Sequence, residues 1–256
     1  MPLNFIKRLA GKSRSAPAAP AFDAPLAPDD PLHAIGDIHG RADLLDRLLE
    51  KLVADGTERM VFLGDYVDRG EQSRDVLTSL ARLCDARPDD VTCLLGNHEQ
   101  MMLDFLDKPE DGAARWLRNG GLQTLASFGI GNITEAPTPE QAEVAADALR
   151  KSLGAELDAW LRALPRQAAS GNVHFVHAAA DPALPMSAQD PRHLIWGHPA
   201  FFATPRTDGN WIVHGHTVVD QAGAENGRIA VDTGAWFTGR LTAARIAPGA
   251  LDFVSC

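Results

Sequence analysis

Cysteine is scarce in this 256-residue sequence, which contains only Cys84, Cys93 and Cys256. Cysteines so few and so scattered exclude a disulfide framework and a CxxC-type metal knot. The scarcity is typical of proteins from a reducing compartment. We therefore predict a cytoplasmic location.

Basic residues and long apolar runs are also in short supply. Lys and Arg number 24 against 34 Asp and Glu, which gives a formal net charge of −10. Because nucleic-acid binding needs a basic face, this excess of acid argues against a nucleic-acid partner. No apolar stretch approaches the roughly 20 residues of a membrane-spanning helix. The composition, 45% hydrophobic and 23% charged, is that of a soluble domain large enough to bury a sizeable core.

Residues 1–31 differ in composition from the rest of the chain. The first acidic residue is Asp23, and four basic residues precede it: Lys7, Arg8, Lys12 and Arg14. Ala and Pro are frequent from residue 16 onward, and proline fixes φ and lacks an N–H donor. This part is therefore predicted to be a flexible, extended tail. The alternative is a short basic amphipathic segment that makes weak contact with a membrane or a partner.

From Pro31 onward, the spacing of apolar residues alternates between strand and helix. Leu32–Gly36 is typical of a short strand, and the leucines from Leu44 to Leu52 recur at helical spacing. The same unit of strand, Gly-Asp or Gly-Asn turn and helix recurs after Met60–Leu63 and after Val91–Leu95. Strands that alternate with helices predict an α/β fold with parallel, right-handed crossovers. Functional residues are then expected at the carboxyl ends of the strands.

The second half of the chain begins with a helical region at about 112–165, where apolar residues keep a helical spacing. Strand-like runs then resume at Val173–Val176, Trp211–Val213, Arg228–Val231 and Leu241–Ile246. No repeat or linker divides the chain after residue 31. The sequence therefore predicts a single domain over 32–256 with a helical insert.

Five successive predicted strands end in a carboxylate, amide or imidazole side chain. The segments are Gly36-Asp37-Ile38-His39, Gly64-Asp65, Gly96-Asn97-His98, His177 and His214-Gly215-His216. A Gly-Asp pair alone is a common turn, but turns need no imidazole. Asp, His and Asn without thiolate suit manganese, iron(II), zinc or magnesium. Two such ions about 3.5–4 Å apart can share a carboxylate and a hydroxide and can hold phosphoryl oxygens.

These motifs resemble the signature of a known family. Asp37-Ile38-His39-Gly40, Gly64-Asp65-Tyr66-Val67-Asp68-Arg69-Gly70 and Gly96-Asn97-His98-Glu99, with a later Val-His and Gly-His, resemble the phosphoprotein phosphatase family of calcineurin-like metallophosphoesterases. The resemblance covers about residues 32–246 and is closest to bacterial and phage-type serine/threonine phosphatases. It implies a metallophosphoesterase-type α/β/β/α sandwich with a helical insert, in which 32–256 form one catalytic domain.

The resemblance also implies a role for each motif residue. Asp37 and His39 would hold a first divalent ion, Asp65 would bridge two ions, and Asn97, His177 and His216 would hold the second, with Mn²⁺ as the expected metal. His214 does not match a ligand position and is expected to be structural.

The same resemblance implies the catalytic groups. His98 would be the general acid, because its imidazole titrates near neutrality. Asp68 would hold the other ring nitrogen of His98, and Arg69 would take two phosphate oxygens. Asn97 and His98 are expected to contact the substrate phosphate as well.

One segment departs from the family pattern. Bacterial relatives carry a phosphate-binding arginine two residues after Leu-Trp, whereas this chain has His198 there. Three interpretations are open: protonated His198 binds phosphate, Arg206 reaches back to do so, or substrate binding is weaker. Where a glycine commonly follows the Val-His motif, this chain has Ala179.

The leading functional hypothesis is hydrolysis of phosphoserine and phosphothreonine in proteins by direct attack of a metal-bound hydroxide. The first alternative keeps the site and changes the substrate to diadenosine tetraphosphate or a small phosphate ester. The second alternative is a weakly catalytic binding module anchored through the basic N-terminal segment. The expected partners are therefore a phosphorylated protein or a nucleotide substrate.

Overall fold

Two five-stranded sheets form the centre of the computed structural model, which describes residues 22–53 and 59–256. The first sheet has the order β10-β9-β1-β2-β3, and its strands are β1 (Leu32–Ile35), β2 (Arg59–Phe62), β3 (Val91–Cys93), β9 (Thr242–Ala247) and β10 (Ala250–Ser255). Strands β1, β2 and β3 are parallel, and β9 and β10 form an antiparallel hairpin beside β1.

The second sheet has the order β4-β5-β6-β8-β7. Its strands are β4 (Gln167–Ser170), β5 (Val173–Val176), β6 (Trp211–His214), β7 (Gly223–Glu225) and β8 (Arg228–Ala230). Three of them, β5, β6 and β8, run parallel, and β4 and β7 are antiparallel edge strands.

Alternation of side chains along the strands makes the two sheets pack face to face. Leu32 and Ala34 of β1 belong to the same buried cluster as Phe175 and Val213 of the second sheet, whereas Ile35 belongs to the cluster on the opposite face. Successive strand residues point to opposite sides of a sheet, so each sheet has an inner and an outer apolar face.

Helices cover both outer faces. The first sheet is covered by α1 (Ala42–Val53), α2 (Ser73–Ala86) and α3 (Asn97–Asp107), and by an insert of α4 (Pro109–Trp116), a π-helical turn at Leu117–Gly121, α5 (Leu122–Ser127) and α6 (Pro139–Ala163). A 3₁₀ turn at Met186–Ala188 and α7 (Pro191–Trp196) cover the second sheet. The short helix α8 (Ala235–Thr238) links β8 to β9. The four layers confirm the expected α/β/β/α sandwich.

The segment before β1 corrects one boundary of the sequence analysis. Residues 22–31 have no helix or strand, as expected, but they are held against the second sheet rather than free. Asn172 donates to the Pro25 carbonyl at 2.8 Å, and the Phe22 ring packs on Trp211 with centroids 4.9 Å apart. The packed chain thus includes Phe22 and does not begin at residue 32. The basic residues of the proposed anchor lie outside the described residues.

Among the described residues, none of the helices is long and apolar enough to cross a membrane.

Candidate dinuclear metal centre

The carboxyl ends of the parallel strands in both sheets meet at one edge of the sandwich. Five of the seven non-glycine residues with left-handed φ in the described chain lie there: His39, Asp65, Asp68, Arg69 and His216. This conformation costs free energy and persists where surrounding contacts enforce it, so its concentration here marks a functional site.

Asp65 lies at the centre of the cluster. One carboxylate oxygen, Oδ2, is 3.6 Å from His39 Nε2 and 3.8 Å from His98 Nε2. The other, Oδ1, is 3.4 Å from His177 Nε2. Among the described residues, two groups of three potential ligands share Asp65, one with His39 and His98 and one with His177 and His216. Within each group the ligand atoms lie within 4.8 Å of one another.

Backbone carbonyls orient two of the imidazoles toward Asp65. His39 Nδ1 donates to the Val67 carbonyl at 2.8 Å, and His177 Nδ1 donates to the Leu63 carbonyl at 3.0 Å. A proton fixed on Nδ1 leaves Nε2 as a free lone pair. Both histidines therefore present a metal-binding atom to the centre of the cluster.

Asn97 and Asp37 complete the surroundings of Asp65. The Asn97 amide oxygen lies 2.8 Å from both His177 Nε2 and His216 Nδ1. Both Asp37 carboxylate oxygens accept from the His216 backbone N–H at 3.1 Å. The six predicted ligands thus lie together. Asp37 belongs to neither of the two groups that share Asp65, and one of those groups contains His98, which was predicted to be a catalytic residue and not a ligand.

Glu99 stabilises the backbone of the loop that contains Asp65, Tyr66 and Val67. Its buried carboxylate accepts backbone N–H groups from Gly96, Asp65, Tyr66 and Val67 at 2.7–3.1 Å. Burial, followed by the charge of Asp65, raises the pKa of Glu99 to about 7. Sequence analysis placed Glu99 in a motif without assigning it a role.

The buried carboxylates make the site suitable for cations. Burial, and then Asp232 and Asp65, raise the pKa of Asp37 well above its ordinary value. Burial also raises the pKa of Asp232, which is 4% exposed. Like charges this close disfavour one another unless a cation compensates them. Together with the convergent imidazole nitrogens, they fit two divalent ions with oxygen and nitrogen ligands.

Asp232 was missed as a site residue. It follows β8 and precedes Gly234, whose N–H donates to Asp232 Oδ1 at 2.8 Å. Asp232 shares with Asp37 and Asp65 only its position after an apolar strand, because it follows Val231 directly whereas the other two follow a glycine. That position could have been used to find it.

His98 and Asp68 form a buried pair next to the candidate metal ligands. His98 Nδ1 donates to Asp68 Oδ2 at 2.6 Å. Burial acts to lower the pKa of His98, but Asp65 and Asp68 outweigh it and raise the pKa. Trp116 Nε1 lies 3.0 Å from both Asp68 oxygens, and Thr124 Oγ1 donates to Oδ1 at 2.7 Å. Asp68 is therefore fully hydrogen-bonded and rigidly placed.

Arg69 lies on the solvent side of His98. Its Nη2 lies 3.2 Å from His98 Nε2, and its guanidinium carbon lies 5.4 Å from the centre of the Trp236 ring. The backbone of Arg69 packs against Gly120 of the insert, where an added Cβ would lie 2.5 Å from the Arg69 nitrogen. Gly120 has φ +107°, which glycine tolerates.

His198 lines a cavity next to the candidate metal ligand His216. This cavity of about 360 Å³ is also lined by Trp196 and Phe202. The Nε2 atom of His198 is 3.7 Å from Asp181 Oδ2, and its Nδ1 accepts from the Ala200 N–H at 3.3 Å. This position is compatible with phosphate contact, which stays a prediction.

Arg206 does not reach the site, so its predicted role in phosphate binding is wrong. The side chain is almost fully buried, and Nη1 and Nη2 donate to the carbonyls of Asp181 and Leu184 at 2.9 Å. Its Nε and Nη2 also bind the Asp208 carboxylate. These contacts occupy the guanidinium and fix a loop of the second sheet. His214 is likewise structural, buried between Phe201 and Phe202.

This fold and this cluster define a metallophosphoesterase. Residues 31–220 match the family model of the calcineurin-like phosphoesterases. The chain belongs to that family, as the motifs indicated.

Relatives of the chain differ in their named activities. It is 27% identical to the symmetrical bis(5'-nucleosyl)-tetraphosphatase of Ralstonia nicotianae, over 84% of this chain and 89% of that protein. It is 41% identical to the serine/threonine-protein phosphatase 4 catalytic subunit of Eremothecium gossypii, over 28% of this chain. That match spans 23% of the relative's length.

One solved structure, provisionally described as a diadenosine tetraphosphatase, superimposes with a TM-score of 0.63 at 20% identity. The superposition covers 91% of this chain and 98% of that one. At this identity the likeness supports the fold.

Proposed function

We propose that this chain hydrolyses phosphoserine and phosphothreonine in proteins, passing the phosphoryl group directly to water. The observation that carries the proposal is the position of Asp65 between two sets of imidazoles, with the His98–Asp68 pair beside it. The arrangement contains both a place for two cations and a separate proton donor. Phosphoryl transfer needs these two elements.

The metal ligands have defined places in this proposal. Asp37 and His39 would hold one ion, Asn97, His177 and His216 the other, and Asp65 both. Two bound divalent ions, manganese in our proposal, would activate the attacking water and neutralise the phosphoryl oxygens. The carbonyls that hold His39 and His177 keep both Nε2 lone pairs free, and these would bind the ions.

His98 donates the proton that the leaving oxygen requires. Asp68 binds Nδ1, so the transferred proton leaves from Nε2, which faces Arg69 and the substrate side. Trp116 and Thr124 hold Asp68 and thereby fix the imidazole plane. A donor placed in advance avoids reorganisation during the reaction.

Arg69 orients the phosphoryl group. A guanidinium offers two parallel N–H donors that match two phosphate oxygens. Because Arg69 lies beside His98 on the solvent side, it can bind the phosphate while His98 protonates the leaving oxygen.

The second candidate is symmetrical hydrolysis of a dinucleoside tetraphosphate. The relative that aligns over most of both chains, from Ralstonia nicotianae, is named for that activity. The serine/threonine phosphatase relatives match only short segments, which cover 19% and 23% of their lengths. The metal centre would serve both reactions.

A side-by-side assay separates the two candidates. Metal-stripped enzyme, with manganese restored, is given a phosphothreonine peptide or diadenosine tetraphosphate, and kcat/KM is measured for each. A higher value for the peptide is expected. A higher value for the dinucleotide would overturn the proposed substrate and retain the chemistry.

A further inference from the structure

Helix α8 presents two large aromatic side chains to solvent next to the metal centre. Trp236 is 41% exposed and Phe237 is 56% exposed. Their rings meet edge to face, with centroids 5.0 Å apart. Adjacent exposed rings of this size are a typical feature of a binding surface.

The aromatic pair is connected to the reacting groups through Arg69. The Arg69 guanidinium lies between the two, 3.2 Å from His98 Nε2 and 5.4 Å from the Trp236 ring centre. His98 is the group proposed to protonate the leaving oxygen. The organic part of the substrate, attached to that oxygen, therefore leaves the site on the side where Trp236 lies.

Backbone contacts anchor the short helix that carries the aromatic pair. Gly234 and Gly239, with φ +70° and +71°, flank the helix, and Asp232 Oδ1 accepts the Gly234 N–H at 2.8 Å. Arg41 donates to the Ala235 carbonyl at 3.1 Å. The Phe237 ring covers Gly234 so closely that an added Cβ would lie 2.4 Å from it. A surface fixed in advance loses little entropy on binding.

We propose that Trp236 and Phe237 bind a planar aromatic ring in the leaving group of the substrate. The enzyme would then accept substrates whose leaving group carries an aromatic ring, in addition to phosphoserine and phosphothreonine. Aromatic rings prefer offset or edge-to-face contact with other rings, and Trp236 and Phe237 offer both a face and an edge. The ring can come from a phosphotyrosine side chain or from a nucleobase. This inference rests on the proposed hydrolysis at the neighbouring metal centre.

The test compares three substrates on three forms of the full-length, manganese-loaded enzyme. The substrates are two peptides of the same sequence with phosphothreonine or phosphotyrosine, and diadenosine tetraphosphate. The enzymes are the wild type, Trp236→Leu, which removes the ring, and Trp236→Phe, which keeps one. Differences in leaving-group reactivity cancel because each kcat/KM is divided by the wild-type value for the same substrate.

We expect Trp236→Leu to lower kcat/KM for an aromatic substrate about three- to tenfold more than for the phosphothreonine peptide. Trp236→Phe should restore most of the difference. The substrate that responds, phosphotyrosine or dinucleotide, identifies the source of the ring. An equal change on all three substrates overturns the inference and leaves the proposed function intact.

If the wild type hydrolyses none of the three substrates, the proposed function is overturned instead. The ring contact is then tested by calorimetry with phenylphosphonate and ethylphosphonate, which are not hydrolysed. The inference predicts tighter binding of the phenyl compound to the wild type and a smaller preference in Trp236→Leu. The same preference in both proteins would contradict it.

Discussion

The indole N–H of Trp116 lies 3.0 Å from both carboxylate oxygens of Asp68. This contact joins the helical insert to the Gly64–Gly70 motif, because Trp116 ends α4 and Asp68 holds the imidazole of His98. The insert is therefore part of the site. Its tryptophan positions a carboxylate that takes part in the proposed reaction.

Removing that N–H tests the connection. Trp116→Phe keeps an aromatic ring in the core but leaves the buried Asp68 carboxylate with one donor fewer. A hydrogen bond to a charged group contributes about 1.5–3 kcal/mol, so the free energy of unfolding should fall by about that amount. We also expect kcat to fall while KM changes little. Urea denaturation and steady-state kinetics check the two effects, and an unchanged kcat would show that Asp68 does not depend on Trp116.

Substitution of Asp65 or His98 should separate chemistry from folding. Asp65→Asn removes the charge shared by both ligand groups, and His98→Ala removes the proton donor. Each should reduce kcat by about two orders of magnitude or more, as loss of one group that stabilises a transition state does. Circular dichroism should show the wild-type fold. A rate near that of the wild type in either variant would refute the assignment.

Arg206→Met should affect stability much more than catalysis. The substitution leaves the carbonyls of Asp181 and Leu184 without their donors, which costs about 1–3 kcal/mol. Burial would raise the pKa of Asp208, but the hydrogen bond from Arg206 outweighs it and lowers the pKa. A carboxyl whose pKa is lowered by folding stabilises the folded state at any pH above its pKa in the unfolded chain, which is about 4. This stabilisation is lost as the pH falls through the lower pKa of the folded state.

The difference between wild type and Arg206→Met should therefore be constant from pH 7 to about 5 and shrink below about pH 4. Urea midpoints at pH 7, 5 and 3.5 measure it. A loss of phosphate affinity at pH 7 with unchanged stability would instead restore Arg206 as a substrate contact.

Metal binding should stabilise the fold. Divalent ions would neutralise the buried carboxylates of Asp37 and Asp232, whose pKa values are raised by burial and by neighbouring acidic groups. A metal at a hundredfold excess over its Kd adds about 2.7 kcal/mol to the free energy of unfolding. We expect the Tm of chelator-treated protein to rise with added manganese, and to rise much less in Asp65→Asn. An equal rise in the Tm of both proteins would show that the stabilising ion binds at a site that does not include Asp65.

Most of the candidate site could be predicted because each candidate ligand lies close in sequence to a strand end. Asp37, Asp65, Asn97 and His177 follow buried apolar runs directly or after a glycine, so a one-dimensional pattern locates them. Asp232 carries the same pattern and was overlooked. The contact of Trp116 with Asp68 could not be predicted, since helical spacing identifies a buried residue but not the partner of its N–H.

Other features depend on contacts distant in sequence. Arg206 is only eight residues from His198, yet its partners Asp181 and Leu184 turn it away from the site. Residues 22–31 are fixed by Asn172 and Trp211, more than 140 positions away. The edge strand Gln167–Ser170 has little apolar character, so no pattern predicts it.

The most direct test is to titrate metal-stripped enzyme with manganese while both bound metal and hydrolysis of a phosphothreonine peptide are measured. The account predicts that activity is absent without metal and saturates at two ions per chain. It also predicts that Asp65→Asn binds fewer ions and stays inactive. Full activity in the metal-free enzyme, or with Asp65→Asn, would contradict it.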